Sequence, residues 1–141
     1  MIAMPSLENQ TVIPSDLSEA RRVQEEIEAA LSTTSFSEHD RFAVKMAFEE
    51  AIVNAIKHGN QMDPEKSVVV EYQILPDLFL AKITDQGEGF DPDDVPDPTA
   101  PENLERPCGR GLLLIRYYMT EVSFTDGGRT IVLKKSPSTE E

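Results

Sequence analysis

Three stretches combine residue types and spacings able to do chemistry. In Glu49-Glu50-Ala51-Ile52-Val53-Asn54-Ala55-Ile56-Lys57-His58-Gly59, the side chains of Glu50, Asn54 and His58 recur at i, i+4 and i+8. That spacing stacks them along one helix face. Their neighbours Ala51, Ile52, Val53, Ala55 and Ile56 are apolar, and a carboxylate and an amide in such a setting are costly unless something satisfies them. A hydrated Mg²⁺ with a nucleotide would do so, because Mg²⁺ takes oxygen ligands and few of them from protein. A merely solvated helix face would account for Glu50 and Asn54 equally well.

The second stretch is Asp85-Gln86-Gly87-Glu88-Gly89-Phe90. Its glycines permit a tight turn and close approach of a flat ligand to the backbone. A carboxylate at a strand end can accept a hydrogen bond from an exocyclic amine such as that of adenine. An ordinary Gly-rich turn with a solvated Asp85 is the alternative. The third is Gly109-Arg110-Gly111 ahead of an apolar run. Glycines at a helix N-terminus leave N–H groups free to meet phosphates, although Gly-x-Gly is also common in plain turns. Arg106 and Arg110 are the nearby cations for a polyphosphate, or are simply solvent-facing.

These stretches need elements to hold them. Thr11-Val12-Ile13 suits an edge strand. A helix is expected after Ser15, with Leu17, Ala20, Val23, Ile27, Ala30 and Leu31 at helical spacing. A second helix starts at Ser37, where Ser37 and Asp40 form a capping-box-like signal, and runs to about His58, with Gly59 suited to a left-handed C-terminal position. Alternating residues 67–75 and 78–85 predict a hairpin. From Gln86 to Cys108 the pattern dissolves, and five of the ten prolines fall there, which marks a long loop of functional kind. A short helix over residues 112–119 follows, then strands over 122–125 and 130–134 around the turn Asp126-Gly127-Gly128. Residues 136–141 read as a disordered tail. Strands grouped as hairpins favour an α+β fold, a two-layer sandwich of a mixed, mostly antiparallel sheet with helices on one face.

The totals bound the function. At 141 residues one core is expected. With 26 acidic against 13 basic residues the net charge is −13, which disfavours nucleic acid bound by charge attraction. It does not exclude a nucleotide held by local N–H groups and a cation. The single Cys108 permits no intrachain disulfide and no cysteine zinc site. No leader pattern or membrane-length apolar run is evident, so the expected location is the cytoplasm, without membrane attachment.

Taken together and in this order, the motifs resemble the GHKL (Bergerat) ATPase and kinase superfamily over about residues 41–133. Glu50-x-x-x-Asn54 resembles its N-box, Asp85-x-Gly87-x-Gly89 its G1 box and Gly109-x-Gly111 its G2 box, while Gly128-Arg129-Thr130 is similar to its closing Gly-x-Thr element. The resemblance implies one domain over residues 1–135, binding ATP between helices and sheet, with residues 91–108 as the ATP lid. On it, Asn54 coordinates Mg²⁺, Asp85 recognises adenine with support from Thr130, His58 flanks the site, and Gly109 and Gly111 touch phosphate through their backbone. The lid is strongly acidic (Asp91, Asp93, Asp94, Asp97, Glu102, Glu105), a departure from the family's pattern.

Within the superfamily, Glu50 stands where histidine kinases usually carry Asn, and a hydroxyl nucleophile benefits from a general base. A stand-alone domain with Glu50-x-x-x-Asn54 is similar to the anti-sigma-factor serine/threonine kinases. That similarity implies a homodimer that binds a sigma factor or comparable regulator and phosphorylates a serine on a small antagonist protein, with Glu50 as the base. Two other functions fit the same motifs: a nucleotide-gated binding module without transfer, and an ATPase subunit of a larger assembly.

Overall fold

The computed structural model describes residues 9–89 and 107–138, with only the backbone of residues 107–110. The elements run β1 (Asn9–Pro14), α1 (Leu17–Leu31), α2 (Glu38–Asn54) continued by a wide π turn (Ala55–Gly59), β2 (Ser67–Leu75), β3 (Leu78–Thr84), α3 (Pro107–Tyr118), β4 (Glu121–Thr125) and β5 (Thr130–Lys135). The expected lid over residues 91–108 lies, but for its last two residues, outside the described residues, as do Arg106 and the side chain of Arg110.

The strands form one sheet in the order β1-β2-β3-β5-β4, and every pairing is antiparallel. The mixed sheet allowed from sequence is therefore antiparallel throughout its described strands. Period-2 alternation sends one residue set to the helices. Ile13, Val68, Val70, Tyr72, Phe79, Ala81, Ile83, Ile131 and Leu133 are buried with Val23, Ile27, Val44, Phe48, Ile52, Ile56 and Ile115 of the helical layer. Thr84, Lys82 and Glu71, on the other face, are half-buried.

Both long helices start where their caps place them. The Asp16 carboxylate accepts from Ser18 N at 2.8 Å, and Ser37 Oγ accepts from Asp40 N at 3.1 Å. Asp40 itself does not complete a capping box. It is buried and accepts from Ser138 N at 2.9 Å and Ser138 Oγ at 2.6 Å, with Lys135 Nζ at 3.5 Å.

Three expectations are corrected. The third helix begins at Pro107 rather than residue 112, since proline costs nothing in a first turn, so Gly109 and Gly111 lie within it. The tail is tied down as far as Ser138, with Ser136 N donating to Thr120 Oγ1 at 2.9 Å beside the Asp40 clasp. Gly59 takes no left-handed conformation; Gln61 (φ 55°) and Met62 (φ 61°) do so instead. The expected hairpin turn at Asp126-Gly127-Gly128 is present between antiparallel β4 and β5, with positive φ at all three residues.

Candidate functional site

The C-terminal end of α2, the segment after β3 and the first turns of α3 converge. Glu50 and Asn54 are half-buried and face Gly111, which is buried in α3. A Cβ on Gly111 would stand 2.6 Å from Glu50 Oε2 and 2.7 Å from Asn54 Nδ2, so any larger residue would push both polar ends aside. Glycine therefore lets the α3 backbone reach both polar groups. Neither side chain makes a hydrogen bond or ion pair among the described residues, so both remain available to a ligand.

Asp85 lies across the end of α2. Its backbone N–H donates to Arg129 O at 3.0 Å, and its Oδ1 accepts from Gly87 N at 2.8 Å. Oδ2 has no hydrogen-bond partner among the described residues. The carboxylate fills the space left by Gly59, where a Cβ would meet Asp85 Cγ at 2.4 Å. Burial pushes the Asp85 carboxyl above the ordinary carboxylate range, against the Gly87 hydrogen bond and the nearby Arg129 and Lys66 charges, which pull it down. A raised carboxyl with one free oxygen in a recess is suited to a ligand donor.

The glycines after Asp85 are constrained as well. Gly87 packs its backbone on Gly59 O, and Gly89 (φ 79°) packs on Gly127 O. Arg129 Nε donates to Gly87 O at 2.8 Å, which joins the β4–β5 turn to this loop. Thr130 is buried, and its Oγ1 shares a 2.9 Å hydrogen bond with Thr84 Oγ1. It therefore meets the residue before Asp85, not the Asp85 carboxylate. His58 is exposed and makes no hydrogen bond or ion pair among the described residues.

Two contributors escaped the sequence reading. Arg129 was visible only as the unassigned middle residue of the Gly128-Arg129-Thr130 element, and Asn60 carried no motif signal, yet both hold the Asp85 loop. Among the described residues no group of three or more His, Cys, Asp and Glu side chains could hold a metal ion. The Asn54 amide and Glu50 carboxylate nevertheless supply oxygen donors of the kind Mg²⁺ takes when most ligands come from water and phosphate. The donor set fits that ion.

Residues 13–135 match the histidine kinase-like ATPase domain. The chain belongs to that family. Among its relatives, the serine-protein kinase RsbW of Listeria innocua is 32% identical over 99 residues, an alignment spanning 65% of this chain and 63% of that protein. The chain thus spans just under two thirds of that relative. The anti-sigma F factor of Clostridium perfringens is 32% identical over 102 residues, covering 68% of this chain and 72% of that one. The crystal structure of the RsbU and RsbW domains of a Mycobacterium tuberculosis protein superposes with a TM-score of 0.61 at 18% identity, over 95% of this chain and 32% of the other. That likeness bears on the fold of this histidine kinase-like ATPase domain.

Proposed function

We propose that the chain is an ATP-dependent protein serine/threonine kinase of the anti-sigma-factor type. It binds a sigma factor or comparable regulator and phosphorylates a serine on a small antagonist protein. The observation that carries this reading is the convergence of Glu50 and Asn54 on the Gly111 backbone, beside an Asp85 carboxylate with one free oxygen. The relatives named serine-protein kinase and anti-sigma factor support it.

In this reading adenine donates its exocyclic amine to Asp85, the free N–H groups of the first turn of α3, that of Gly109 among them, meet phosphate, and Arg106 and Arg110 supply positive charge. Gly111, expected from sequence to touch phosphate as well, lies past that turn and brings the helix against Glu50 and Asn54 instead. Asn54 holds Mg²⁺, which when bound neutralises charge on the phosphates. Glu50 accepts the proton of the acceptor serine hydroxyl as its oxygen bonds to the γ-phosphorus; the bond to the bridging oxygen breaks and ADP leaves. Phosphoryl transfer is mostly positioning and electrostatics, so a small domain suffices. The reading further places the chain's action in the cytoplasm, as a homodimer acting on protein partners; separately, no helix among the described residues is long and apolar enough to cross a membrane.

The test is transfer of label from ATP-Mg²⁺ to an antagonist protein, comparing the unaltered chain with Glu50→Gln. Transfer should fall at least about 100-fold, the usual contribution of a general base, while ATP affinity changes little. Undiminished transfer would remove Glu50 from the role of base. ATP binding with no labelled acceptor would turn the reading to a nucleotide-gated binding module.

A further inference from the structure

Directly after the wide turn of α2 sits a primary amide with no exposed surface. Asn60 is 0% accessible, and burying an amide is unfavourable unless its polar atoms are hydrogen-bonded. Here both are. Nδ2 donates to Ser15 Oγ at 3.0 Å and to Ser67 O at 2.9 Å, and Oδ1 accepts from Gln86 N at 2.7 Å. The Asn60 backbone N–H also donates to Ala55 O at 2.9 Å, closing the wide turn. One residue thus ties together the end of the α2 helical run, the β1–α1 junction, the start of β2 and the segment after β3.

We infer that Asn60 is a positioning residue for nucleotide recognition, holding the Gln86 N–H so that the Asp85 carboxylate is presented in one orientation and adenine is preferred over other purines. The inference rests on the reading of Asp85 as the acceptor for the adenine amine. Gln86 lies between Asp85 and Gly87, the residue whose N–H holds Asp85 Oδ1. Three hydrogen bonds fix this short stretch: Asp85 N to Arg129 O on one side, Gln86 N to Asn60 in the middle, and Gly87 N to the carboxylate itself. The side chain of Gln86 adds a fourth, its Oε1 accepting from Ser67 N at 2.6 Å. With the peptide between Asp85 and Gln86 anchored, the carboxylate has little freedom beyond its own side-chain torsions. Those are limited by Gly87 N and by the tight packing on Gly59. Without Asn60 the middle anchor is gone and the Gln86 N–H loses its partner in the chain. Oδ2 would then be free to turn away from the ligand.

The experiment compares ATP with ITP, whose base carries a carbonyl in place of the exocyclic amine, by binding and by transfer kinetics. The variants are Asn60→Ala, Asp85→Asn and Ser15→Ala. Ser15→Ala breaks the network on the side away from Gln86, so it lowers thermal stability while keeping the ATP preference. Asn60→Ala is expected to shrink the ATP-over-ITP preference about 10-fold, in line with losing one well-placed, partly buried hydrogen bond. The loss should appear in KM with kcat largely retained. A folded Asn60→Ala protein that discriminates as well as the unaltered chain overturns the inference and leaves Asp85 as the adenine acceptor. Unchanged discrimination in Asp85→Asn removes that underlying reading, and the inference goes with it. If Asn60→Ala does not fold, NMR of the unaltered protein decides: ATP should shift the Asn60 side-chain amide and the Gln86 backbone amide, and signals that stay in place at saturating ATP overturn it.

Discussion

Asp40 and Asp85 are two carboxylates withdrawn from water at opposite ends of α2, and they are treated in opposite ways. Asp40 accepts two hydrogen bonds from Ser138 and faces Lys135. Burial alone would raise its carboxyl, but the Ser138 bonds and the Lys135 charge outweigh it and hold the group below the ordinary range. Asp85 has one backbone donor and a free oxygen, and burial leaves it above that range. A carboxylate whose partners all lie within the chain stabilises the fold. One left short of partners costs stability until a ligand arrives, which is the pattern of a binding site.

Removing the satisfied group should have the larger effect on folding. Asp40→Ala strands Lys135 and the Ser138 donors, and is expected to cost about 3 kcal/mol in denaturant unfolding, as when one partner of a buried ion pair is deleted. ATP affinity of the folded protein should be unchanged; a cost near zero would mean that the C-terminal clasp is open in solution. Asp85→Asn should do the reverse. ATP affinity is expected to fall about 10-fold in calorimetry, from the loss of a charge-assisted hydrogen bond. The thermal midpoint should stay level or rise, because a disfavoured charge has been removed.

The smallest effect is in pH dependence, and its sign differs between the two. The Asp40 contribution is complete above the ordinary value of 3.8 and is lost as pH falls through its lowered folded value. Asp85 acts oppositely: its folded form favours the proton, so stability declines as pH rises from 3.8 through the raised value. ATP affinity should fall as pH drops through that same raised value, since only the ionised form accepts the amine with full charge. Unfolding and ATP titrations of the unaltered chain and both variants between pH 3 and 7 would separate these curves; identical curves would abolish the contrast.

Much of this was legible in the residues. Period-2 alternation located β2 and β3, helical spacing located α1 and α2, and the Glu50-x-x-x-Asn54 and Asp85-x-Gly87 motifs pointed to stretches that do converge. Convergence itself was not readable, because the approach of Gly111 to Glu50 depends on the α2–α3 packing. Gly59 illustrates the limit. As a sequence signal it resembled a left-handed cap, while its actual constraint is a carboxylate contributed by a residue far along the chain. Asn60 was invisible for the same reason: a buried amide with four segments around it looks like any turn asparagine until the segments are in place. Asp40 was half legible, correctly placed at a helix start but with one partner, Ser138, in a stretch read as a disordered tail.

The wide turn over Ala55–Gly59 has hydrogen bonds one residue longer than those of the helix before it, so the ladder upstream and the loop downstream are out of phase by one position. It acts as an insertion absorbed inside a helix. Deleting one residue there would restore ordinary winding and swing everything beyond it by about 100°, carrying the Asn60 amide away from Gln86. The same deletion beyond Met62 would be taken up by a surface turn. Chain length is therefore tightly constrained within the wide turn and less so after it.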